Sequence, residues 1–267
     1  MTSMRSGRKG ARLGQHFLTG AWAARSLAQA VNVRPNETIL EIGPGKGALT
    51  KELLATGAHV IAIEKDRALV EKLSQTFAQE ISEGRLRLVE DDVRNFEPGS
   101  SKLEARSYVL AANIPYYITG EIIRQFLETT AQPRAMALLV QKEVAERIVA
   151  RDHKESILSL SVKAYGSPKI VAKVSRGNFS PPPSVDSAIL LITNISKESF
   201  GDVAEDGFFK VVKTGFASKR KFLANNLAVV FGKDETLRAL TACNLSSKVR
   251  AEDVPLEKWR GIARELS

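Results

Sequence analysis

The run Thr38-Ile39-Leu40-Glu41-Ile42-Gly43-Pro44-Gly45-Lys46-Gly47 does most to restrict what this chain can fold into. An apolar strand enters a glycine-rich turn, and Ala48 to Ala55 then reads as a helix. Glycines let the backbone bend sharply and come close to a ligand. The spacing is G-x-G-x-G, not the G-x-G-x-x-G of the dinucleotide fingerprint, and no G-K-[ST] follows to make a phosphate-cradling loop. On its own the run still leaves a nicotinamide site open.

The rest of the chain continues the alternation. Strand-like runs fall at Ile39–Ile42, Val60–Ile63, Leu86–Val89, Val109–Ala112 and Ala135–Val140. Between them, Leu49–Ala55, Ala68–Ile81 and Gly120–Thr129 carry apolar residues at helical spacing. Such alternation implies a parallel sheet with helices on both faces. A helix at Ala21–Val31 precedes the first of these strands. Ile170–Val174 and Ala188–Ile192 read as a late antiparallel edge. The stretch Ile195–Asp206 turns polar and reads as a linker. Beyond it, Phe208–Phe216, Lys221–Phe231, Asp234–Ala242 and Glu257–Glu265 read as helices.

Residues at strand ends carry the chemistry. Glu64 follows the second strand, about 20 residues after the glycines, where an acid can hold ribose hydroxyls. Glu90-Asp91-Asp92 follows the third, where a carboxylate can accept from an adenine amine. Asn113-Ile114-Pro115-Tyr116 follows the fourth. That turn offers an amide oxygen, two backbone carbonyls and an aromatic face. Two acceptors can hold the hydrogens of an exocyclic amine while a ring stacks on its base. Coming after the glycine run, it points to S-adenosylmethionine and to chemistry on the amino group of adenine.

With these blocks in place, the chain resembles the ribosomal RNA adenine N6-dimethyltransferase family. The resemblance rests on Leu13-Gly14-Gln15-His16-Phe17-Leu18, the Glu41 to Gly47 run, Glu64, Asp92, Asn113 to Tyr116, Gln141-Lys142-Glu143-Val144-Ala145, and Phe179 to Ser187. Three positions depart from the family pattern. His16 stands where Asn is usual, Ser156-Ile157-Leu158 replaces a Tyr-Gly, and Lys219-Arg220-Lys221 stands for Arg-Arg-Lys.

The resemblance implies an α/β fold, a Rossmann-like S-adenosylmethionine-dependent methyltransferase sheet with a small all-helical C-terminal domain. Its divisions would be a basic flexible tail over 1–13, a catalytic domain over 14–195 and a helical RNA-binding domain over 196–267. It implies dimethylation of two adjacent adenosines in the 3′-terminal hairpin loop of 16S rRNA within the small subunit. Asn113, Ile114, Pro115 and Tyr116 would carry the catalysis, with Phe179 presented as a second stacking ring. His16, Leu18, Gly43, Gly45, Glu64, Asp92 and Asn113 would bind the cofactor. Lys142, Arg147, Lys219, Arg220 and Lys221 would meet RNA phosphates. Large-subunit rRNA dimethylation, or a non-catalytic assembly or transcription factor of the same fold, are the alternatives.

Composition bears on partners and compartment. The 267 residues carry a formal net charge of +9, which favours a polyanionic partner. Cys243 is the sole cysteine and the three histidines are scattered, so neither a disulfide nor a metal is expected. No apolar run approaches the ~18 residues of a membrane span. The basic start lacks the apolar stretch of a secretory signal. A cytoplasmic monomer is the expectation.

Overall fold

The computed structural model describes residues 16–266. The expected basic tail and the residues up to Gln15 lie outside them.

The described strands are β1 (Phe17–Leu18), β2 (Thr38–Ile42), β3 (His59–Glu64), β4 (Leu86–Glu90), β5 (Tyr108–Asn113), β6 (Ala135–Gln141), β7 (Ser167–Val174), β8 (Phe179–Ser180) and β9 (Ser187–Thr193). The helices are α1 (Ala21–Ala30), α2 (Ala48–Leu54), α3 (Arg67–Thr76), α4 (Ala78–Ser82), α5 (Thr119–Glu128), α6 (Lys142–Val149), α7 (Ile157–Lys163), α8 (Glu205–Gly215), α9 (Leu223–Phe231), α10 (Lys233–Ala242) and α11 (Leu256–Leu266).

Seven strands form one sheet in the order β4-β3-β2-β5-β6-β9-β7. β2 to β6 are mutually parallel, while β9 runs antiparallel to both β6 and β7. Alternation of side chains divides the central strands between two cores. Tyr108, Leu110 and Ala112 of β5 face one apolar cluster, and Val109 and Ala111 face the other. In β6, Met136, Leu138 and Val140 likewise oppose Ala135, Ala137 and Leu139. Helices α1 and α2 cover the second cluster through Leu27, Leu49 and Leu53. Both faces being covered explains why these strands read as unbroken apolar runs.

The chain goes from β2 outward to β3 and β4, then returns to place β5 on the other side of β2. Ligands of open α/β sheets bind outside the carboxyl ends of strands at such a reversal. Ile42 pairs with Ala112, so Gly43 and Asn113 stand side by side at the sheet's carboxyl edge.

Two expectations are corrected. The single helix over Ala68–Ile81 is broken at Phe77, which leaves helical geometry (φ −112°, ψ 30°). Its ring closes on Gly47, where an added Cβ would meet Phe77 Cε2 at 2.6 Å. The stretch Ile195–Asp206 is not a solvated linker. Ile195, Phe200 and Val203 are buried in the same cluster as the sheet, and Lys197–Phe200 is one 3-10 turn. Phe200 meets the Tyr165 ring edge-on with centroids 5.0 Å apart. Trp259 of α11 is fully buried and stacks on Phe216 at 5.5 Å. The C-terminal helices therefore share one continuous core with the sheet.

Candidate active site at the sheet's carboxyl edge

The ends of β2, β3, β4 and β5 open into one pocket. Its wall includes His16, Gly43, Gly45, Glu64, Asp92 and Asn113. Ile114, Pro115 and Tyr116 line it as well. The sequence thus named residues from five separate segments that the fold brings together.

The three glycines serve different ends. Gly43 has φ +65°, and a Cβ there would meet nothing within 4 Å. A methyl at this point would fill the cradle. At Gly45 an added Cβ would meet the Phe17 ring at 3.0 Å, and at Gly47 the Phe77 ring, so these two admit packing neighbours. Glu64 is buried, with one carboxylate oxygen accepting from Gly45 N–H at 3.2 Å and the other from Asp66 N–H at 3.0 Å. It braces the glycine turn against the start of α3.

Glu41 was not singled out by the sequence, though a carboxylate in an apolar strand was the available signal. It is fully buried two residues before Gly43, and neither oxygen has a hydrogen-bond partner. Burial pushes its pKa up to about 8. Repulsion from Glu64 adds to that rise. Buried polar groups are normally satisfied. The Glu41 carboxyl is instead an unsatisfied buried group in the strand that leads into the glycine turn.

Asp92 is held differently. Its Oδ1 accepts from Arg94 Nε at 3.0 Å and from Arg94 N–H at 3.1 Å, and Lys65 Nζ lies 3.5 Å from Oδ2. The Arg94 hydrogen bond, chiefly, holds the carboxyl far below the usual carboxylate range. An adenine amine reaching this carboxylate would compete first with Lys65, its longest contact.

Asn113 is fixed by a long-range contact. Its Nδ2 donates to the His16 carbonyl at 3.0 Å, which leaves Oδ1 as the end free to accept. His16 itself is half-buried, with Nδ1 2.8 Å from the Pro181 carbonyl. The Pro115 carbonyl accepts from Ile118 N–H at 3.1 Å within a 3-10 turn, so the Ile114 carbonyl is the one not spent on that turn. The Tyr116 hydroxyl lies 2.7 Å from Ser187 Oγ, and its ring centroid is 5.8 Å from that of His16. Burial raises the Tyr116 pKa.

Phe179 is corrected. Its ring is 4% exposed and belongs to the core against α1, not to the pocket wall. Pairing of β8 with β1, Leu18 opposite Phe179, turns it inward. Leu18 is buried too and lies with Gly43, Gly45 and Asn113 around a narrow recess beside the main pocket. Phe17, Arg94 and Tyr117 were missed, and all three line the pocket.

The model of the ribosomal RNA adenine dimethylase family matches residues 7–267. This chain belongs to that family. Its relatives include the ribosomal RNA small subunit methyltransferase A of Dehalococcoides mccartyi (strain CBDB1), 40% identical over 97% of this chain and 88% of that protein. The protein of the same name from Moorella thermoacetica is 36% identical, covering 95% of this chain and 91% of its own. Among solved structures, a dimethyladenosine transferase from Plasmodium falciparum superposes with a TM-score of 0.78 at 23% identity, over 92% of this chain and 96% of that one. The 23S rRNA methyltransferase ErmE gives 0.76 at 23%, over 94% and 99%. These two share the fold of this family member.

The basic residues fall into two groups. Arg147 pairs with Glu143 at 3.1 Å, on the surface of α6, and Lys142 opens the same helix. Lys219, Arg220 and Lys221 are exposed between α8 and α9, and none makes an ion pair among the described residues. Lys219 and Arg147 border one cleft between α5, α6, α7 and α8, in which carboxylates such as Glu128, Glu146 and Glu205 outnumber cations. Among the described residues no group of three or more His, Cys, Asp or Glu is placed to hold a metal, and no helix is long and apolar enough to cross a membrane.

Proposed function

We propose that this protein transfers methyl groups from S-adenosylmethionine to N6 of two adjacent adenosines in the 3′-terminal hairpin loop of small-subunit rRNA. It does so as a monomer in the cytoplasm. The observation that carries the reading is the anchored amide of Asn113, its Nδ2 tied to the His16 carbonyl, in the wall of a pocket that a half-buried tyrosine ring also lines. The relatives at 36–40% identity bear the small-subunit name, whereas the likeness to the 23S enzyme is one of fold. That favours the small-subunit substrate.

The residues present fit the cofactor. The open cradle at Gly43 admits close backbone approach, and the buried Glu64 and half-buried Asp92 carboxylates stand at successive strand ends for ribose hydroxyls and adenine amine. When bound, S-adenosylmethionine supplies an electrophilic methyl group.

Adenine N6 is a weak nucleophile because its lone pair is delocalised into the ring. Asn113 Oδ1 and the Ile114 carbonyl accept its two hydrogens, turn the lone pair out of the ring plane and favour the positive charge that develops on nitrogen as the N–C bond forms and the methyl–sulfur bond breaks. The excess N6 proton then passes to water. The His16 carbonyl keeps the Asn113 amide from rotating. Ser187 holds the Tyr116 hydroxyl, so the ring stands ready as a face for the flipped base. Lys219, Arg220 and Lys221, together with Lys142 and Arg147, neutralise phosphates.

The test uses undermethylated small subunits and labelled methyl donor, with the modified bases mapped by mass spectrometry. Asn113→Ala is expected to lower turnover on the order of 10²–10³-fold, the effect of removing a preorganised charge-stabilising group, with a smaller change in cofactor affinity. Dimethylation by Asn113→Ala at the wild-type rate would sink the mechanism.

A further inference from the structure

Tyr116 and Tyr117 are consecutive on one 3-10 turn, Tyr116–Ile118. Successive side chains on such a turn point roughly 120° apart. Tyr116 turns inward to Ser187. Tyr117 turns outward, is 71% exposed, and still lines the mouth of the pocket. Its hydroxyl has no hydrogen-bond partner among the described residues. A lone exposed ring on a surface needs no explanation. This ring differs because of its place and its neighbour. Arg94, also in the pocket wall, is pinned by Asp92 and stands close enough to the Tyr117 phenol to interact with it electrically. An exposed aromatic face, one residue from the ring that would receive the base, thus stands in the wall of the site, as does a cation fixed by Asp92.

The proposed substrate carries two adjacent adenosines. With one base in the pocket, its neighbour is left unstacked just outside, within one phosphodiester of the lip. We propose that Tyr117 is a positioning residue that stacks the nucleotide flanking the target adenosine and so holds the second base near the pocket while the first reacts. The inference rests on the function proposed above and deepens it. Base–aromatic stacking is tolerant of base identity, so the residue sets register and retention rather than base choice. Tyr116 receives the reacting base and Tyr117 its neighbour, a division that follows from their different directions on the turn.

The experiment compares full-length wild type, Tyr117→Ala, Tyr117→Phe and Tyr117→Trp on undermethylated small subunits. KM for the subunit and kcat are measured, each adenosine's methylation is followed by mass spectrometry, and cofactor affinity is measured by calorimetry. Tyr117→Ala is expected to raise KM on the order of 10-fold, the loss of one base–aromatic stack. It should release RNA with one adenosine dimethylated and the other bare, while cofactor affinity holds. The Phe and Trp variants should restore both readouts. A wild-type KM and product pattern in Tyr117→Ala would overturn the inference alone. So would a loss that Phe and Trp fail to rescue, or one that follows cofactor affinity. If wild type itself leaves both adenosines bare, the proposed function fails and this inference fails with it.

Discussion

Replacing Glu41 by Gln should change how stability depends on pH. Glu41 is fully buried with both oxygens unpartnered, and its pKa is pushed from 4.5 to about 8, first by burial. Below 4.5 the carboxyl is protonated in both folded and unfolded chains. Above it the unfolded chain releases the proton while the folded chain keeps it. The folded state therefore binds more protons, and stability falls as pH rises through this window until the folded carboxyl also ionises near 8. Each pH unit costs about 1.4 kcal/mol, so roughly 2–3 kcal/mol is lost between pH 5 and 7. Gln fills the same space and cannot ionise. Near pH 5 Glu41→Gln should be no more stable than wild type, because its amide donors are as unpartnered as the acid was. Over the next two pH units the variant should gain on wild type by about the amount stated. Urea unfolding of cofactor-free protein at a series of pH values reads this directly. Parallel stability curves for wild type and Glu41→Gln would refute the claim that this carboxyl stays protonated in the fold.

Glu64→Ala should weaken S-adenosylmethionine binding by about 1.5–3 kcal/mol, as for a lost hydrogen bond to a charged group, and calorimetry showing unchanged affinity would remove Glu64 from the site. Neutralising Lys219, Arg220 and Lys221 together should lower affinity for the small subunit. Each lost phosphate contact should change the slope of log affinity against log salt by roughly 0.7–0.9, and an unchanged slope would make the cluster an ordinary solvated face. Arg134→Ala should destabilise the fold by about 3 kcal/mol, because it leaves the buried Glu37 carboxylate, which Arg134 grips through two contacts of 2.7 Å, with only the Arg34 N–H. Chemical denaturation checks this, and a change under 1 kcal/mol would show that water takes the place of the guanidinium.

Much of the sheet was legible because burial on both faces leaves little choice of residue. Strands such as Tyr108–Asn113 and Ala135–Gln141 are apolar almost throughout, and the turn chemistry at their ends marks where they stop. The candidate site was legible for a related reason. Its residues sit at strand ends, so local sequence already placed them at one edge. The buried stretch after Ile195 was not legible, because three core residues, Ile195, Phe200 and Val203, are spaced among polar ones with neither a helical nor a strand period.

What local pattern could not give was orientation. Pro181 to Pro183 stiffens the loop after Phe179. Stiffness fixes a direction without saying which. The direction comes from the pairing of Leu18 with Phe179, a contact between residues 161 positions apart that no window of sequence contains. The Asn113 amide is decided in the same way, by a carbonyl 97 residues away at His16. One short N-terminal segment thus performs two tasks. As β1 it turns an aromatic ring into the core, and through His16 it holds a polar group toward the pocket. His16 acts there through its backbone carbonyl, which any residue supplies, so the departure from the family's usual Asn leaves the grip on Asn113 intact.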